Sequence, residues 1–385
     1  MRTLFVTVDP AFPPTSGGEL RTWQNVEAAS ECGPVLLLSI GRPAPRNPPP
    51  GIAIGQISGM DASEVWRSDF DVTYPAEIIE QFCLAAANFR PDVIVLESLP
   101  LANLAHVAKG YTQALIIDLH NVESDLAAQA VQSANDPETR RAMETRVRRI
   151  RATENRAAAV ADMLWVCSSL DSNRLIRDGV NVKRIYVVPN GIPRPDSIQD
   201  RPPRYEYCRR PTLVFIGHLG YSPNIEAAFS LFGIMPALWH RLAGARLILA
   251  GRNPHPVIAS RSLPGRIDVI PNPSSTSPLL LTADLAVMPL RRGGGTRIKA
   301  LEAIAWGLPV VATGRAVEGL QLENGIHVSI AETVEEFVSA ICDLCKNSTR
   351  YESQRIAARR HVLKEFGPDA VRTAVHGGLR LALQA

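Results

Sequence analysis

The sequence predicts two consecutive doubly wound α/β domains. Short runs rich in Val, Ile and Leu alternate with helical stretches along the whole chain. The runs are apolar throughout instead of alternating, and the rhythm breaks at a proline-rich loop in the first half and again at a proline-rich polar stretch near the middle. Continuous apolar strands separated by helices indicate parallel sheets covered on both faces.

In order, strands are expected at 3–8, 34–40, 92–97, 114–119, 163–168 and 184–189. Between them the helical patterns fall at 19–31, 76–89, 99–109 and 137–160, while 42–59 reads as a proline-rich loop followed by a short strand. The stretch 191–211, "GIPRPDSIQDRPPRYEYCRRP", holds five prolines and little apolar content, which marks a linker. The rhythm restarts with strands at 212–217, 245–251, 266–271, 284–290, 309–313 and 326–330. Helices are expected at 222–241, from 296, at 331–347, at 350–364 and from about 368. The division that follows is 1–192, a linker at 193–211, a second domain at 212–365, and a C-terminal helix at 366–385 packing back toward the first domain. Ligands of such domains bind beyond the carboxyl ends of the strands, and two facing domains form a cleft.

Composition sets wide limits. A chain of 385 residues, 46% hydrophobic and 21% charged, suits a globular protein with two cores. A net charge of +3 is too small to imply nucleic-acid binding. No apolar run approaches the ~18 residues of a membrane span. "MRTLFVTVDP" enters a strand directly without a signal-peptide pattern, so the cytoplasm is the expected compartment. The six cysteines are scattered, as in a reducing compartment, and Cys342 and Cys345 fall on a helical pattern with no second ligand pair nearby.

The most informative stretch is "MPLRRGGGTRIKALEAIAWGLPVVAT", Met288–Thr313. A strand passes through three glycines into a helix expected to be capped by Thr296, yet Arg291, Arg292, Arg297 and Lys299 crowd that end. A helix N-terminus is already positive, so each cation there is unfavourable by roughly 0.3–1 kcal/mol unless an anion binds. Gly294, Gly295 and Thr296 offer bare backbone N–H groups, and Arg297 and Lys299 suit a diphosphate better than a carboxylate. Glu302, one turn on, could accept hydrogen bonds from sugar hydroxyls; the plainer reading pairs it with Lys299 at i,i+3. This is not a Walker loop, and no G-x-G-x-x-G follows a strand.

These residues carry a resemblance. "GGGTRIKALEAIAWGLPVVAT" resembles glycosyltransferase family 4, the retaining GT-B-fold enzymes, in the branch of bacterial exopolysaccharide sugar transferases. "FIGHLGYSPNIEAA" (215–228), "VVPNGI" (187–192), "PPTSGGELRTW" (13–23) and "IIDLHNVES" (116–124) match the same branch in the expected order. The resemblance implies a hexosyltransferase-like enzyme with a UDP- or GDP-linked sugar donor, no cofactor and no metal. Its acceptor would be a glycan, a lipid-linked compound or a small molecule. It implies donor contacts from Gly17, Gly18, Gly217, His218, Asn224, Arg252 and the 294–302 segment, with His120 near the transferred sugar. Arg21, Glu97 and Asn121 would lie on the acceptor side, although a helix cap explains Glu97 equally well.

Two departures stand out. The family's pair of glutamates eight positions apart is reduced to Glu302, with Gly294 at the earlier place. The Arg and Lys that usually grip the diphosphate after the first strand of the second domain are replaced by His218 and, approximately, Asn224. Arg297 and Lys299 are expected to supply the missing charge.

Two features compete for attention. Asp69-Phe70-Asp71 is a D-x-D, the metal signature of a different glycosyltransferase architecture, and is discounted here. The helix 140–156 carries seven arginines against Glu144 and Glu154. It reads as a solvated face, with contact to the inner face of an anionic membrane as a second reading. The alternatives to sugar transfer are a GT-B-fold sugar-nucleotide epimerase and a non-catalytic nucleotide-sugar-binding partner.

Overall fold

The computed structural model describes the whole chain apart from residues 42–47, 68–69, 133, 135, 181–183, 194–197, 199–200, 203–207 and 385. Asp69 and most of the expected linker therefore lie outside the described residues. The chain separates into two compact units. The first is Met1–Gly191 with Gly294–Thr296 and Pro368–Ala385; the second is Ile192–Gly293 with Arg297–Gly367.

In the first unit the order is β1 (Thr3–Thr7), α1 (Gly17–Ser30), β2 (Val35–Ile40), β3 (Ile52–Ile57), α2 (Ala62–Arg67), α3 (Ala76–Phe89) and β4 (Val93–Glu97). A 3-10 turn and α4 (Ala105–Lys109) lead to β5 (Ala114–Leu119), α5 (Glu123–Val131), α6 (Pro137–Val160), β6 (Met163–Val166), α7 (Ser169–Arg177) and β7 (Ile185–Val187). The seven strands are ordered β3-β2-β1-β4-β5-β6-β7 and all neighbours pair parallel. Their apolar runs are continuous because both faces are covered. Leu4, Val6, Ile94, Leu96 and Ile117 point into one core, whereas Phe5, Val93, Val95 and Ile116 point into the other.

The second unit holds β8 (Thr212–Ile216), α8 (Ser222–Arg241), β9 (Arg246–Gly251), α9 (Pro256–Ala259), β10 (Ile267–Pro271), α10 (Ser277–Thr282) and β11 (Leu285–Met288). It continues with α11 (Ile298–Ala305), β12 (Val310–Ala312), β13 (Ser329–Ile330), α12 (Val334–Lys346) and α13 (Ser348–Phe366). Its six parallel strands run β10-β9-β8-β11-β12-β13 around one large apolar cluster that includes Cys342 and Cys345. The last helix, α14 (Pro368–Ala382), belongs to the first unit. It lies against α1, where His376 Nε2 meets Ala28 O at 2.8 Å and Arg372 pairs with Glu31 at 2.9 Å. Gly378 lets the helix come close to β6, since a Cβ there would stand 2.7 Å from Trp165 Nε1.

In each sheet the strand order reverses once, between β1 and β4 and between β8 and β11. Loops leaving the carboxyl ends at such a reversal diverge to opposite faces and leave a crevice, the usual ligand position of doubly wound sheets. Short helices α2, α5, α7, α9 and α10 were not expected from periodicity, being brief or weakly patterned. The helix expected from Thr296 starts instead at Ile298. Arg297 holds the N-cap position without a side-chain cap, because Thr296 Oγ1 accepts from Asn190 Nδ2 at 2.8 Å.

Candidate functional site

Each unit gathers polar residues at its strand-order reversal. In the first, "SGGE" is a capping box that starts α1: Ser16 Oγ accepts from Glu19 N, and the Glu19 carboxylate accepts from Ser16 N. Neither Gly17 nor Gly18 has a positive φ, so the glycines are not there for unusual torsions. Gly18 makes room: a Cβ on it would stand 3.3 Å from His120 Nδ1. His120 follows β5, and its Nε2 lies 2.9 Å from Glu97 Oε2 at the end of β4. Thr22 donates its hydroxyl to the same Glu97 oxygen at 2.8 Å. Burial, reinforced by Asp118 nearby, pushes the Glu97 carboxyl above its ordinary range, while His120 and Arg21 pull it back.

Arg21, expected on the acceptor side, sits in the interior. It is 1% exposed and engaged on every side: Nε and Nη2 meet Asp118 at 2.8 and 2.6 Å, and Nη1 meets Val188 O at 2.7 Å and Asn190 Oδ1 at 3.1 Å. Glu97, at 2% exposure, is likewise an interior residue that holds His120. Asn121 is half-buried and donates to Glu123 at 3.0 Å. Gly294 and Gly295 fall beside these residues in the first unit. A Cβ on Gly294 would lie 2.8 Å from Asn121 Oδ1, and one on Gly295, whose φ is 57°, would lie 2.5 Å from His120 O. Glu97, Asp118 and His120 bring their ligand atoms within 4.8 Å of one another, a spacing that could hold a metal ion. The bidentate Arg21 contact, however, puts a fixed positive charge on Asp118 where such an ion would sit.

In the second unit, backbone meets backbone. A Cβ on Gly251, at φ 156°, would stand 1.5 Å from Gly217 O, and Gly217 N donates to Ala250 O at 3.0 Å. One on Gly217 would lie 2.8 Å from Lys299 Nζ. Lys299 therefore reaches back from the first turn of α11 to the end of β8. Its ammonium group donates to Asn224 Oδ1 and sits over the Phe215 ring, 4.6 Å from the centroid. Burial, with a smaller push from Arg297, lowers its pKa from 10.5 to about 7. Asn224 is buried, and its Nδ2 donates to His218 O at 2.9 Å. Expected as a donor contact, Asn224 instead holds Lys299 through one end and the loop through the other. His218 and Arg252 are exposed side by side, and burial plus the neighbouring guanidinium lower the His218 pKa.

The four cations of the glycine stretch divide. Arg292 turns to α8, with Nε 3.0 Å from Glu226 Oε2, and Arg291 donates to Glu332 O at 3.2 Å. Arg297 and Lys299 remain at the start of α11, where Arg297 is 8% exposed. Glu302 is not the i,i+3 partner of Lys299, which turns to Asn224; its Oε1 accepts from Thr276 Oγ1 at 2.7 Å. Asp71 pairs with Arg156 at 2.9 Å.

Two family models match the chain, one in each half. The glycosyl transferase 4-like domain matches residues 17–191, and the glycosyl transferases group 1 domain matches residues 210–347. Each half of the chain thus matches a glycosyltransferase domain model. The fold is GT-B. Sucrose-phosphate synthase from Thermosynechococcus elongatus superposes with a TM-score of 0.74 at 14% identity, over 99% of each chain. HepE from Anabaena, in complex with UDP-glucose, gives a TM-score of 0.69 at 13% identity, over 99% of this chain and 100% of HepE. TarM from S. aureus, in a complex containing UDP, gives 0.68 at 8% identity over 100% of both chains. No curated protein sequence matches the chain.

Sequence reasoning did not single out Thr22, Asn190 or Phe215. Thr22 and Asn190 lie inside the quoted motifs "SGGELRTW" and "VVPNGI", the only signal that could have found them. Phe215 opens the quoted motif "FIGHLGYSPNIEAA" but otherwise reads as an ordinary core residue.

Proposed function

We propose that this protein moves a sugar from a nucleoside-diphosphate donor to an acceptor hydroxyl with retention at the anomeric carbon, in the assembly of a polysaccharide or glycoconjugate. The observation that carries the reading is the lysine under the second unit's strand ends. Lys299 is brought to the bare backbone of Gly217 beside Arg297, at a cost that an anionic ligand would offset. The leaving diphosphate would be stabilised by these cations and by the α11 N-terminus, without a divalent ion. Glu302, with Thr276, would hold the ribose; Arg252 and His218 stand near enough to each other to serve the base or the phosphates. His120 would bind a hydroxyl of the transferred sugar. HepE, which shares the fold, has been seen with UDP-glucose.

Among the described residues no helix is long and apolar enough to cross a membrane. The exposed Arg140, Arg141, Arg148 and Arg149 of α6 would supply any contact with an anionic lipid surface.

The experiment is a thermal-shift panel of nucleoside diphosphates and their sugars, followed by donor hydrolysis. A ligand at one hundred times its Kd adds about 2.7 kcal/mol to the native state. A panel in which no nucleotide raises the midpoint refutes the reading. Binding without donor hydrolysis or transfer would make the protein a nucleotide-sugar-binding partner instead.

A further inference from the structure

Glu97 and Asp118 end adjacent parallel strands and stand opposite each other in the register. Both are buried beside His120, yet they act differently. Both oxygens of Asp118 are occupied, Oδ1 by Arg21 Nη2 at 2.6 Å and Oδ2 by Arg21 Nε at 2.8 Å and Asn25 Nδ2 at 3.1 Å. Asp118 Oδ2 stays 3.7 Å from His120 Nε2, beyond hydrogen-bond range. Glu97 Oε2 takes Nε2 at 2.9 Å and the Thr22 hydroxyl at 2.8 Å. Two donors converging on one carboxyl oxygen leave no proton on that oxygen, so the hydrogen of this contact belongs to Nε2. The other ring nitrogen, Nδ1, lies over Gly18 in the first turn of α1. The positive end of a helix favours a lone pair there over an N–H.

We propose that Glu97 is a positioning residue: it holds His120 as the Nε2–H tautomer, so that Nδ1 meets the substrate as a hydrogen-bond acceptor. The class of group recognised follows. His120 takes a donating hydroxyl of the sugar or acceptor, and it cannot serve a phosphate or carboxylate oxygen, which only accepts. The nature of the substrate rests on the sugar-transfer reading; the state of the ring does not.

The test is the Glu97→Gln variant. Glu97 Oε1 is buried with no partner, so an amide NH2 placed there would leave two donors unsatisfied. The glutamine amide nitrogen therefore turns toward Thr22 and His120, donates to Nε2, and drives the ring proton to Nδ1. Long-range 1H–15N correlation of labelled histidine rings, with His120 assigned from its absence in His120→Ala, reads the tautomer directly. In the wild type, hydrogen is expected on Nε2 and a bare Nδ1. In Glu97→Gln the pattern should reverse, with turnover down at least tenfold and the thermal midpoint close to wild type. Hydrogen on Nδ1 in the wild type overturns the proposal, whether the ring is neutral or doubly protonated, and this measurement stands even if the variant does not fold. A folded variant that keeps its tautomer, or that reverses it without losing turnover, also overturns it. A wild type that turns over no nucleotide sugar would refute the functional reading and leave the ring signals to decide the tautomer alone.

Discussion

Lys299 should make the ligand-free protein less stable than a variant lacking its charge, and the difference should depend on pH. Among the described residues the amine faces no carboxylate, but the Asn224 carbonyl oxygen, the Phe215 ring and the like charge of Arg297. Lowering its pKa from 10.5 to about 7 corresponds to on the order of 4–5 kcal/mol against the charged form. Stacking on Phe215 offsets roughly 1 kcal/mol of what a Lys299→Met substitution would recover. The folded-state pKa lies below the unfolded one, so between about 7 and 10.5 the unfolded chain binds more protons and native stability rises with pH. Below about 7 both states are protonated and the whole penalty is present. Lys299→Met should therefore be more stable than wild type by about 3–4 kcal/mol at pH 6, an advantage that shrinks toward zero by pH 10. Urea unfolding across that range measures it. A difference between the two proteins that is flat from pH 6 to pH 10 would refute the argument. The stabilised variant should also lose nucleoside-diphosphate binding, the trade expected where a site holds unfavourable charge for its ligand. In wild type, calorimetry at pH 8 in buffers of different ionisation enthalpy should show uptake of close to one proton with a nucleotide sugar, because the diphosphate restores the ammonium form.

Three further outcomes are expected. Arg297→Ala and Lys299→Ala should each weaken nucleoside-diphosphate binding by about 1.5–3 kcal/mol in calorimetry, and unchanged affinity in both would make the glycine loop a basic surface only. Turnover should survive excess EDTA, since fixed cations serve the leaving group; activity lost with chelator and restored by manganese would refute this and return attention to Asp71. Gly294→Glu should lower turnover with the native donor, because its Cβ would stand 2.8 Å from Asn121 Oδ1, and Asn121→Ala in the same chain should recover part of the loss; a faster Gly294→Glu enzyme would overturn the steric account.

The fold was legible because its strands are buried on both faces and so lack the period-two alternation of half-exposed strands. Leu4, Phe5 and Val6 point alternately into two different cores, yet every position is apolar. Such runs separate cleanly from amphipathic helices, and α3, α6 and α8 match their expected spans at both ends. Short helices escaped for the opposite reason: four to six residues, as in α9 and α10, are too few to show a period of 3.6. The start of α11 was misplaced because Thr296 looks like a cap in sequence. Its hydroxyl is engaged by Asn190, a partner 106 positions away.

The site was legible as composition and illegible as wiring. Glycines, cations and a lone histidine marked the strand ends to examine, but which side chains stay available there depends on partners remote in sequence. Arg21 is expected on the acceptor side by resemblance, and only the structure shows that Asp118, 97 positions later, holds it bidentate in the interior. The same distance hides where the positive charge comes from. Position 224 carries an amide where the resemblance leads one to expect a lysine, and taken alone this argues for a weakened phosphate grip. Lys299 enters from a different helix, 75 positions on, and places its ammonium against that very amide. An asparagine at 224 can accept from Lys299 and donate to His218 O at once, which a second lysine could not do. Lys299 and Asn224 therefore act as a pair: the cation on α11 is received by a neutral acceptor at 224, and the glycine at 217 leaves it space.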